Sequence, residues 1–150
     1  MPESLDPPSA SRVPPTDAAA AFTEERHLAI LSTPGPRGGI HSVAVGFTLA
    51  DGVVRIITTD GTQKVRNVER AGTATVAQVD GRRWLSLSGA ARIRREPDEI
   101  ARAVALYAGR YRQPSANPRR VVIEIVVDGV LGSPGMLGSS GMLGSSGMKG

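Results

Sequence analysis

The fold class is decided by residues 41–59, which read HSVAVGFTLADGVVRIITT. Over residues 41–49, apolar residues alternate with small or polar ones, which is the two-residue period of a half-buried β-strand. The apolar side carries Val43, Val45, Phe47 and Leu49, and the small side carries Ser42, Ala44, Gly46 and Thr48. Asp51-Gly52 is a hairpin turn signal, and residues 53–59 form the returning strand. The sequence therefore predicts an antiparallel strand pair.

The same kinds of signal extend outward in both directions. Four further strands are predicted at residues 28–33, 73–79, 83–93 and 121–127, with Gly89 as a bend or bulge. Helices are predicted at residues 18–26 after a Thr16-Asp17 cap, at residues 63–70 before Gly72, and after Glu96-Pro97. Six strands with hairpin links and intervening helices predict an α+β domain around an antiparallel barrel.

Both ends of the chain differ in composition from this domain. Residues 1–15 contain five prolines among small polar residues, and the C-terminal residues repeat Gly, Ser, Met and Leu with a six-residue period. Neither composition buries enough apolar surface to offset the entropy of ordering. We predict a disordered tail at 1–15, a folded domain at 16–133, and a low-complexity Gly/Ser/Met tail at 134–150 with no assigned function.

Composition excludes several classes of protein. The chain has no cysteine, which excludes disulfide frameworks, thiolate metal sites and cysteine nucleophiles. With two histidines no metal centre is expected, and aromatic residues at 3% argue against a sheet that stacks RNA bases. No apolar run approaches the roughly 18 residues of a membrane span, and the N-terminus has no apolar signal region. We expect a cytoplasmic protein without a membrane partner.

The net charge of +4 and the pI near 10.3 raise the question of nucleic-acid binding. The basic residues are scattered among 14 acids, with short runs only at residues 82–83, 92–95 and 119–120. That distribution favours a solvated basic surface or a site for a small anion, and no nucleic-acid partner is expected. Binding through the arginine runs stays open as an alternative, which predicts affinity that falls steeply with salt.

The segment most informative about chemistry is residues 57–67, where a predicted strand leads into a predicted helix. The strand ends in Thr58 and Thr59, the chain turns at Gly61, and Lys64 lies in the first helical turn. Unpaired amides at a helix N-terminus, hydroxyl donors and a lysine charge together favour an anion site. A capped helix with an exposed lysine is the alternative interpretation.

Two predicted strands offer surface for a flat ring. Ser42, Ala44 and Gly46 are small enough to leave backbone accessible beside the Thr58-Thr59 corner, although close packing by another element would require the same residues. Trp84 shares one face of its strand with Ser86 and Ser88, since side chains alternate along a strand. A core tryptophan is the alternative interpretation of Trp84.

Five ordered segments carry a resemblance to a known family. They are residues 25–29 (ERHLA), 43–47 (VAVGF), 58–64 (TTDGTQK), 78–87 (QVDGRRWLSL), and 110–112 (RYR) with 117–122 (NPRRVV). In this order they resemble the F420-dependent branch of the pyridoxamine-phosphate-oxidase-like split-barrel family. Within that branch the resemblance is greatest to the actinobacterial biliverdin reductases that use coenzyme F420. It spans about residues 22–132.

The resemblance implies a six-stranded antiparallel split β-barrel of the FMN-binding type, and a homodimer with a coenzyme groove at the subunit interface. Thr58, Thr59 and Lys64 would hold the coenzyme phosphate, with Gln63 beside them. The residues that would line the deazaflavin through main-chain contacts are His41, Ser42, Val43, Ala44 and Val45. Those that would border the ring or the oligoglutamate tail are Arg82, Arg83 and Trp84.

Cofactor and substrate follow from the same resemblance. FMN-using relatives commonly have Arg where Gln63 stands, so F420 is favoured and FMN is the alternative. The implied reaction is hydride transfer from reduced F420 to a conjugated acceptor, which requires positioning rather than a catalytic side chain. Arg119 and Arg120 would steer an acidic substrate or pair with Glu124, and guanidinium groups suit the two propionates of a linear tetrapyrrole.

Other interpretations stay open at this point. Menaquinone-like and nitroaromatic compounds are alternative acceptors. A non-catalytic carrier or storage protein for F420, FMN or haem would use the same groove. An FMN-dependent oxidase of the same fold is a further alternative.

Overall fold

The structure is a computed structural model, and it describes residues 16–137. Its elements are α1 Asp17–Glu24, β1 Ala29–Pro34, β2 Ile40–Val45, β3 Thr48–Ala50, β4 Val53–Thr59, α2 Gln63–Ala71, β5 Thr73–Asp80, β6 Arg83–Arg94, α3 Pro97–Arg110 and β7 Arg120–Gly132. The longest helix between residues 16 and 137, α3, has 14 residues, and none there is long and apolar enough to cross a membrane.

The seven strands form one antiparallel sheet in the order β2-β1-β5-β6-β7-β4-β3. β2 and β3 lie at opposite edges of this sheet, yet only Gly46 and Phe47 separate them along the chain. Three Cα steps span at most about 11 Å, so the two edges must lie close together. The sheet therefore curves into a barrel that is split between β2 and β3, which confirms the predicted fold type.

The number of strands differs from the prediction because residues 41–49 form two strands and not one. Of these two strands, only β3 pairs with β4. The turn between β3 and β4 has two residues, Asp51 and Gly52, and both have positive φ (55° and 75°). That conformation is the one expected of an Asp-Gly hairpin. β2 pairs instead with β1, on the other side of the split. The barrel thus has seven strands where six were predicted.

Packing by α3 explains the break at Gly46. A Cβ built on Gly46 would lie 3.1 Å from ring atoms of both Tyr107 and Tyr111. The two aromatic rings lie so close to the backbone at this point that any added side chain would force them to shift. The interpretation of Gly46 as small to receive a flat ligand is therefore wrong, and the alternative of close packing is correct.

Arg110, the last residue of α3, and Tyr111, which follows it, bind backbone groups next to the break at Gly46. Arg110 donates hydrogen bonds to the carbonyl oxygens of Phe47 and Glu25, and to Oε1 of the buried Gln78. Its guanidinium also lies 4.7 Å from the centroid of the Phe47 ring. The Tyr111 hydroxyl donates to the His27 carbonyl (2.7 Å) and accepts the Phe47 amide (3.2 Å). These bonds satisfy backbone groups that no neighbouring strand reaches.

The interior of the barrel is mainly aliphatic, with two phenylalanine rings. The largest fully buried side chains include Phe22, Phe47, Leu31, Ile56, Leu85, Ile123 and Ile125. Val45 and Phe47 are buried and Ser42 and Ala44 are exposed, as the alternation predicts. The prediction is wrong at Thr48, which is buried beside a half-buried Leu49, because the strand breaks between Val45 and Thr48. Val65 and Val68 of α2 are also fully buried, and left-handed Gly72 (φ 71°) ends that helix as predicted. The predicted bulge at Gly89 is confirmed by a register shift between β6 and β7.

The packed part of the chain extends past the predicted boundary at residue 133. Met136 is 6% exposed and belongs to the hydrophobic core, and its carbonyl accepts a 2.7 Å hydrogen bond from the Thr16 hydroxyl. The first turn of the Gly/Ser/Met segment therefore packs, because its methionine supplies apolar surface. Residues 1–15 and 138–150 of the two predicted tails lie outside the described residues.

Gly46→Val should destabilise the protein by about 1–3 kcal/mol, the usual cost of overpacking. The added methyl groups would clash with the rings of Tyr107 and Tyr111. The matched control is Gly39→Val, since a Cβ on Gly39 meets nothing within 4 Å. Thermal or denaturant unfolding of both variants measures the difference. An unchanged stability of Gly46→Val would contradict the packing described here.

Candidate functional site

The corner between β4 and α2 has the geometry of an anion site. Thr58 and Thr59 end β4, Gly61 turns the chain with φ 82°, and α2 begins at Gln63. The hydroxyl of the N-cap residue Thr62 donates to the Thr59 carbonyl (3.0 Å) and accepts no hydrogen bond from the first amides of α2. The first amides of α2 therefore keep their hydrogen-bonding capacity for a ligand.

Lys64 adds a full charge to this corner. It is half-buried, and burial lowers the pKa of its ammonium group. Lys64 makes no ion pair with any acidic residue between positions 16 and 137. A partly desolvated cation beside free helix amides favours an anionic ligand over water.

Arginines surround the turn that precedes Lys64. Arg95 donates to the Asp60 carboxylate (2.9 Å) and to Glu69 (2.8 Å), and this pairing lowers the pKa of Asp60. Arg119 donates to the Asp60 carbonyl (2.8 Å), and Arg66 donates to the Gly61 carbonyl. The cations at the corner, Lys64, Arg66, Arg95 and Arg119, outnumber its two carboxylates, so its surroundings are net positive.

Asn117 is a member of the corner that the sequence reasoning missed. Its Nδ2 donates to Thr59 Oγ1 at 2.9 Å, across 58 residues of sequence. In the sequence, Asn117-Pro118 signals a turn and nothing more. Only the antiparallel pairing of β4 with β7, which places Thr59 opposite Arg120, brings Asn117 to the end of β4.

Arg119 and Arg120 line an open pocket of about 520 Å³ beside the corner. Its remaining lining residues are Asp60, Arg95, Pro97, Ile100, Ala101, Asn117, Pro118 and Val121. The alternative in which these two arginines pair with Glu124 is wrong, because Arg92 (3.0 Å) and Arg94 (3.4 Å) bind that carboxylate. Arg120 donates to the Ser115 carbonyl (2.6 Å). Neither Arg119 nor Arg120 contacts a carboxylate of another described residue.

Gln63 is held by its own helix. Its Nε2 donates to Asn67 Oδ1 (2.7 Å), and its Oε1 accepts from Arg66 (2.7 Å). Asn67 is fully buried and donates in turn to Thr33 Oγ1 (3.1 Å). Gln63 therefore lies at the corner, as predicted, but both ends of its amide already have protein partners.

The predicted ring-binding residues 41–45 lie along an edge of the sheet. β2 pairs only with β1, so the main chain on its other side is available to a ligand. Ser42 and Ala44 point outward, while Val43 and Val45 pack toward the core and offer only their backbone. The side chain of His41 is half-buried, and its Nδ1 is buried without a hydrogen-bond partner among the described residues.

Two neighbouring rows of residues on the outer face of β2, β1, β5, β6 and β7 carry no charged side chain, and we call these rows, together with Val79 and Trp84, the outer sheet face. Residues in register across it are Ala44, Ile30, Ala77, Ser86 and Leu131 in one row, and Ser42, Ser32, Thr75, Ser88 and Gly129 in the next. Trp84 lies on this face opposite Val79, whose exposed fraction is 65%. Trp84 is thus half-buried at the surface and does not belong to the core cluster.

Arg82 and Arg83 have different surroundings although they are adjacent. Arg83 donates two 2.8 Å hydrogen bonds to Glu25, also binds Asp80, and lies 4.6 Å from the Phe22 ring centroid. The hydrogen bonds from Arg83 lower the pKa of Glu25 to about 2. Arg83 therefore joins α1 to the barrel, whereas Arg82 is exposed.

His27 adds a hydrogen bond to the ion-pair network around Arg83. Its Nε2 lies 3.0 Å from Glu25 and 3.7 Å from Asp80. These three residues hold their ligand atoms within 4.8 Å of one another, a spacing that could suit a metal ion. Arg83 already binds both carboxylates. The cluster is therefore arranged as a structural network that joins α1 to the barrel.

Comparisons with known proteins agree with this geometry. Residues 15–133 match the family described as pyridoxamine 5′-phosphate oxidase. The chain is 50% identical over 120 residues to the F420H(2)-dependent biliverdin reductase of Mycobacterium tuberculosis (strain CDC 1551 / Oshkosh). That match covers 79% of this chain and 88% of the relative.

Solved structures share the fold at lower identity. The conserved hypothetical protein Rv2991 from Mycobacterium tuberculosis is similar with a TM-score of 0.71 and 24% identity, over 90% of this chain and 99% of that chain. A protein described as an F420 reductase is similar with a TM-score of 0.64 and 24% identity, over 79% of this chain and 98% of that chain. These two likenesses establish the fold.

The Glu25–Arg83 pair predicts a specific pH dependence of stability. The folded pKa of Glu25 is lowered, so the pair stabilises the protein above the ordinary pKa of a glutamate, and this contribution is lost as the pH falls toward 2. Glu25→Gln should therefore reduce stability at pH 7 and flatten its decline between about pH 5 and pH 2. Chemical unfolding at several pH values measures this, with the exposed Glu24→Gln as control. Identical pH profiles for wild type and Glu25→Gln would contradict it.

Proposed function

Because the chain belongs to the pyridoxamine 5′-phosphate oxidase family, we propose that it transfers a hydride from reduced coenzyme F420 to a conjugated acceptor, with a biliverdin-like tetrapyrrole favoured. The observation that carries the proposal is the β4–α2 corner, where Lys64 lies without an acidic partner among the described residues, beside uncapped helix amides. The relative of 50% identity, described as an F420H(2)-dependent biliverdin reductase, supports the same conclusion.

The residues at the corner fit the phosphate group of such a coenzyme. Thr58 and Thr59 would donate their hydroxyls, the first amides of α2 would donate N–H groups, and Lys64 would supply charge. Gln63 lies beside them, but its amide already has partners in α2, so its contribution would be steric. Bound reduced F420 supplies the hydride, and the protein supplies orientation and electrostatics.

The edge of β2 is suited to the planar part of the coenzyme. The backbone of residues 41–45 would line the ring through main-chain hydrogen bonds, with Ser42 and Ala44 small enough to allow close approach. Trp84 and Arg82 would border the ring or the oligoglutamate tail. Arg83 would lie beside the coenzyme without binding it through its guanidinium, since Glu25 and Asp80 already bind that group.

We further propose that the protein is a cytoplasmic homodimer in which a second copy covers the outer sheet face. Two rows of five residues on that face contain no charged side chain, and Ile30, Val79 and Leu131 are 47%, 65% and 43% exposed. Apolar surface of this kind is stabilised by burial against a partner. A groove between the two copies would then be bounded by β2 and Trp84.

The proposed function is tested by turnover. The full chain, incubated with reduced F420 and biliverdin, should oxidise the coenzyme and reduce the tetrapyrrole, which absorbance and F420 fluorescence follow together. Menaquinone and a nitroaromatic compound serve as alternative acceptors in parallel reactions. Tight binding of F420 without reduction of any acceptor would indicate a carrier or storage protein. Turnover with FMN alone would indicate an oxidase and would contradict the proposal.

Arg119 and Arg120 are proposed to bind carboxylates of the acceptor from the 520 Å³ pocket. Replacing both with Ala should raise the KM for biliverdin by roughly tenfold or more, because a hydrogen bond to a charged group contributes about 1.5–3 kcal/mol. Biliverdin dimethyl ester, which lacks the two carboxylate charges, is the control substrate. An equal increase in KM for acid and ester would contradict this assignment.

A further inference from the structure

Asn117 is oriented unambiguously by its hydrogen bonds. Its Oδ1 accepts the backbone N–H of Arg119 at 3.0 Å, so that end of the amide is the oxygen. The opposite end, which faces Thr59 Oγ1 at 2.9 Å, is therefore the NH₂ group and acts as donor. The polarity of the Asn117–Thr59 contact follows directly: Thr59 accepts.

Because Thr59 Oγ1 accepts from Asn117, its own proton remains available for donation to another acceptor. A threonine hydroxyl has one O–H donor and two acceptor lone pairs. Asn117 occupies a lone pair, and no other side chain or backbone group between residues 16 and 137 accepts from Thr59 Oγ1. The proton is thus available to an acceptor outside the protein, and phosphate oxygens are such acceptors.

The segment that carries Asn117 is fixed to the end of β4. The Asp60 amide donates to the Arg119 carbonyl (2.8 Å), and the Arg120 amide donates to the Asn117 carbonyl (3.1 Å). Thr59 pairs with Arg120 in the β4–β7 register. The amide of Asn117 therefore approaches Thr59 from a constrained turn, which limits the rotation of both side chains.

We propose that Asn117 is a positioning residue that fixes the Thr59 hydroxyl as a hydrogen-bond donor to the coenzyme phosphate. The proposal rests on the proposed function and adds to the corner a residue that acts through Thr59. Asn117 itself would not contact the phosphate. Its effect would be confined to ligands that carry a phosphate, since a ring bound along β2 does not depend on the polarity of Thr59.

The test compares two ligands on the full chain: F420, and its riboside Fo, which carries the deazaflavin without the phosphate and tail. Asn117→Ala should weaken F420 binding by about 2- to 12-fold, which corresponds to the loss of one ordinary hydrogen bond. Asn117→Asp should weaken it further, because a carboxylate would accept the Thr59 proton and repel the phosphate. Fo affinity should stay unchanged in both variants, as fluorescence titration would show.

A double-mutant cycle separates action through Thr59 from a general structural effect. In a Thr59→Val background, Asn117→Ala should cause no additional loss of F420 affinity. An additional loss of equal size, or a parallel loss of Fo affinity, would overturn the proposal. If wild type binds Fo as tightly as F420, the corner does not bind the phosphate, and the proposed function then rests on the turnover experiment alone. If wild type prefers F420 and Asn117→Ala binds it normally, only the role of Asn117 fails.

Discussion

The half-buried guanidinium of Arg110 binds the backbone at the split of the barrel, and the closure of the barrel depends on this interaction. Near the split between β2 and β3, the carbonyls of Phe47 and Glu25 have no neighbouring strand, and Arg110 binds both of them. It also binds buried Gln78 on β5, so one side chain connects α3, the split and β5. Burial lowers the pKa of Arg110, while this many acceptors stabilise its charged form.

The location of the candidate site follows from that closure. β2 is fixed at one edge of the sheet, so the main-chain groups on its free edge have no neighbouring strand. β4 pairs with β7 along seven residues and ends beside α2. Val65 and Val68 anchor α2 in the core, which sets the direction of its first amides and of Lys64. The candidate binding residues therefore lie on rigid elements, as hydride transfer between two bound molecules requires.

Local patterns predicted most elements, and long-range contacts account for what they missed. The Asp51-Gly52 turn, the inward valines of α2 and the alternating faces of residues 42–47 depend on neighbouring residues. The break at Gly46 depends on Tyr107 and Tyr111, more than sixty residues later, and the Asn117–Thr59 bond spans a similar separation. The packing of Met136 in the core likewise cannot be read from a Gly/Ser-rich segment.

The central claim is that the β4–α2 corner binds the phosphate of a deazaflavin coenzyme. The most direct test is fluorescence titration of wild type and Lys64→Ala with F420 and FMN side by side. We expect wild type to bind F420 more tightly than FMN, and Lys64→Ala to lose roughly 1.5–3 kcal/mol of F420 binding with an unchanged melting temperature. Preferential binding of FMN, or equal F420 affinity in the two proteins, would contradict the claim.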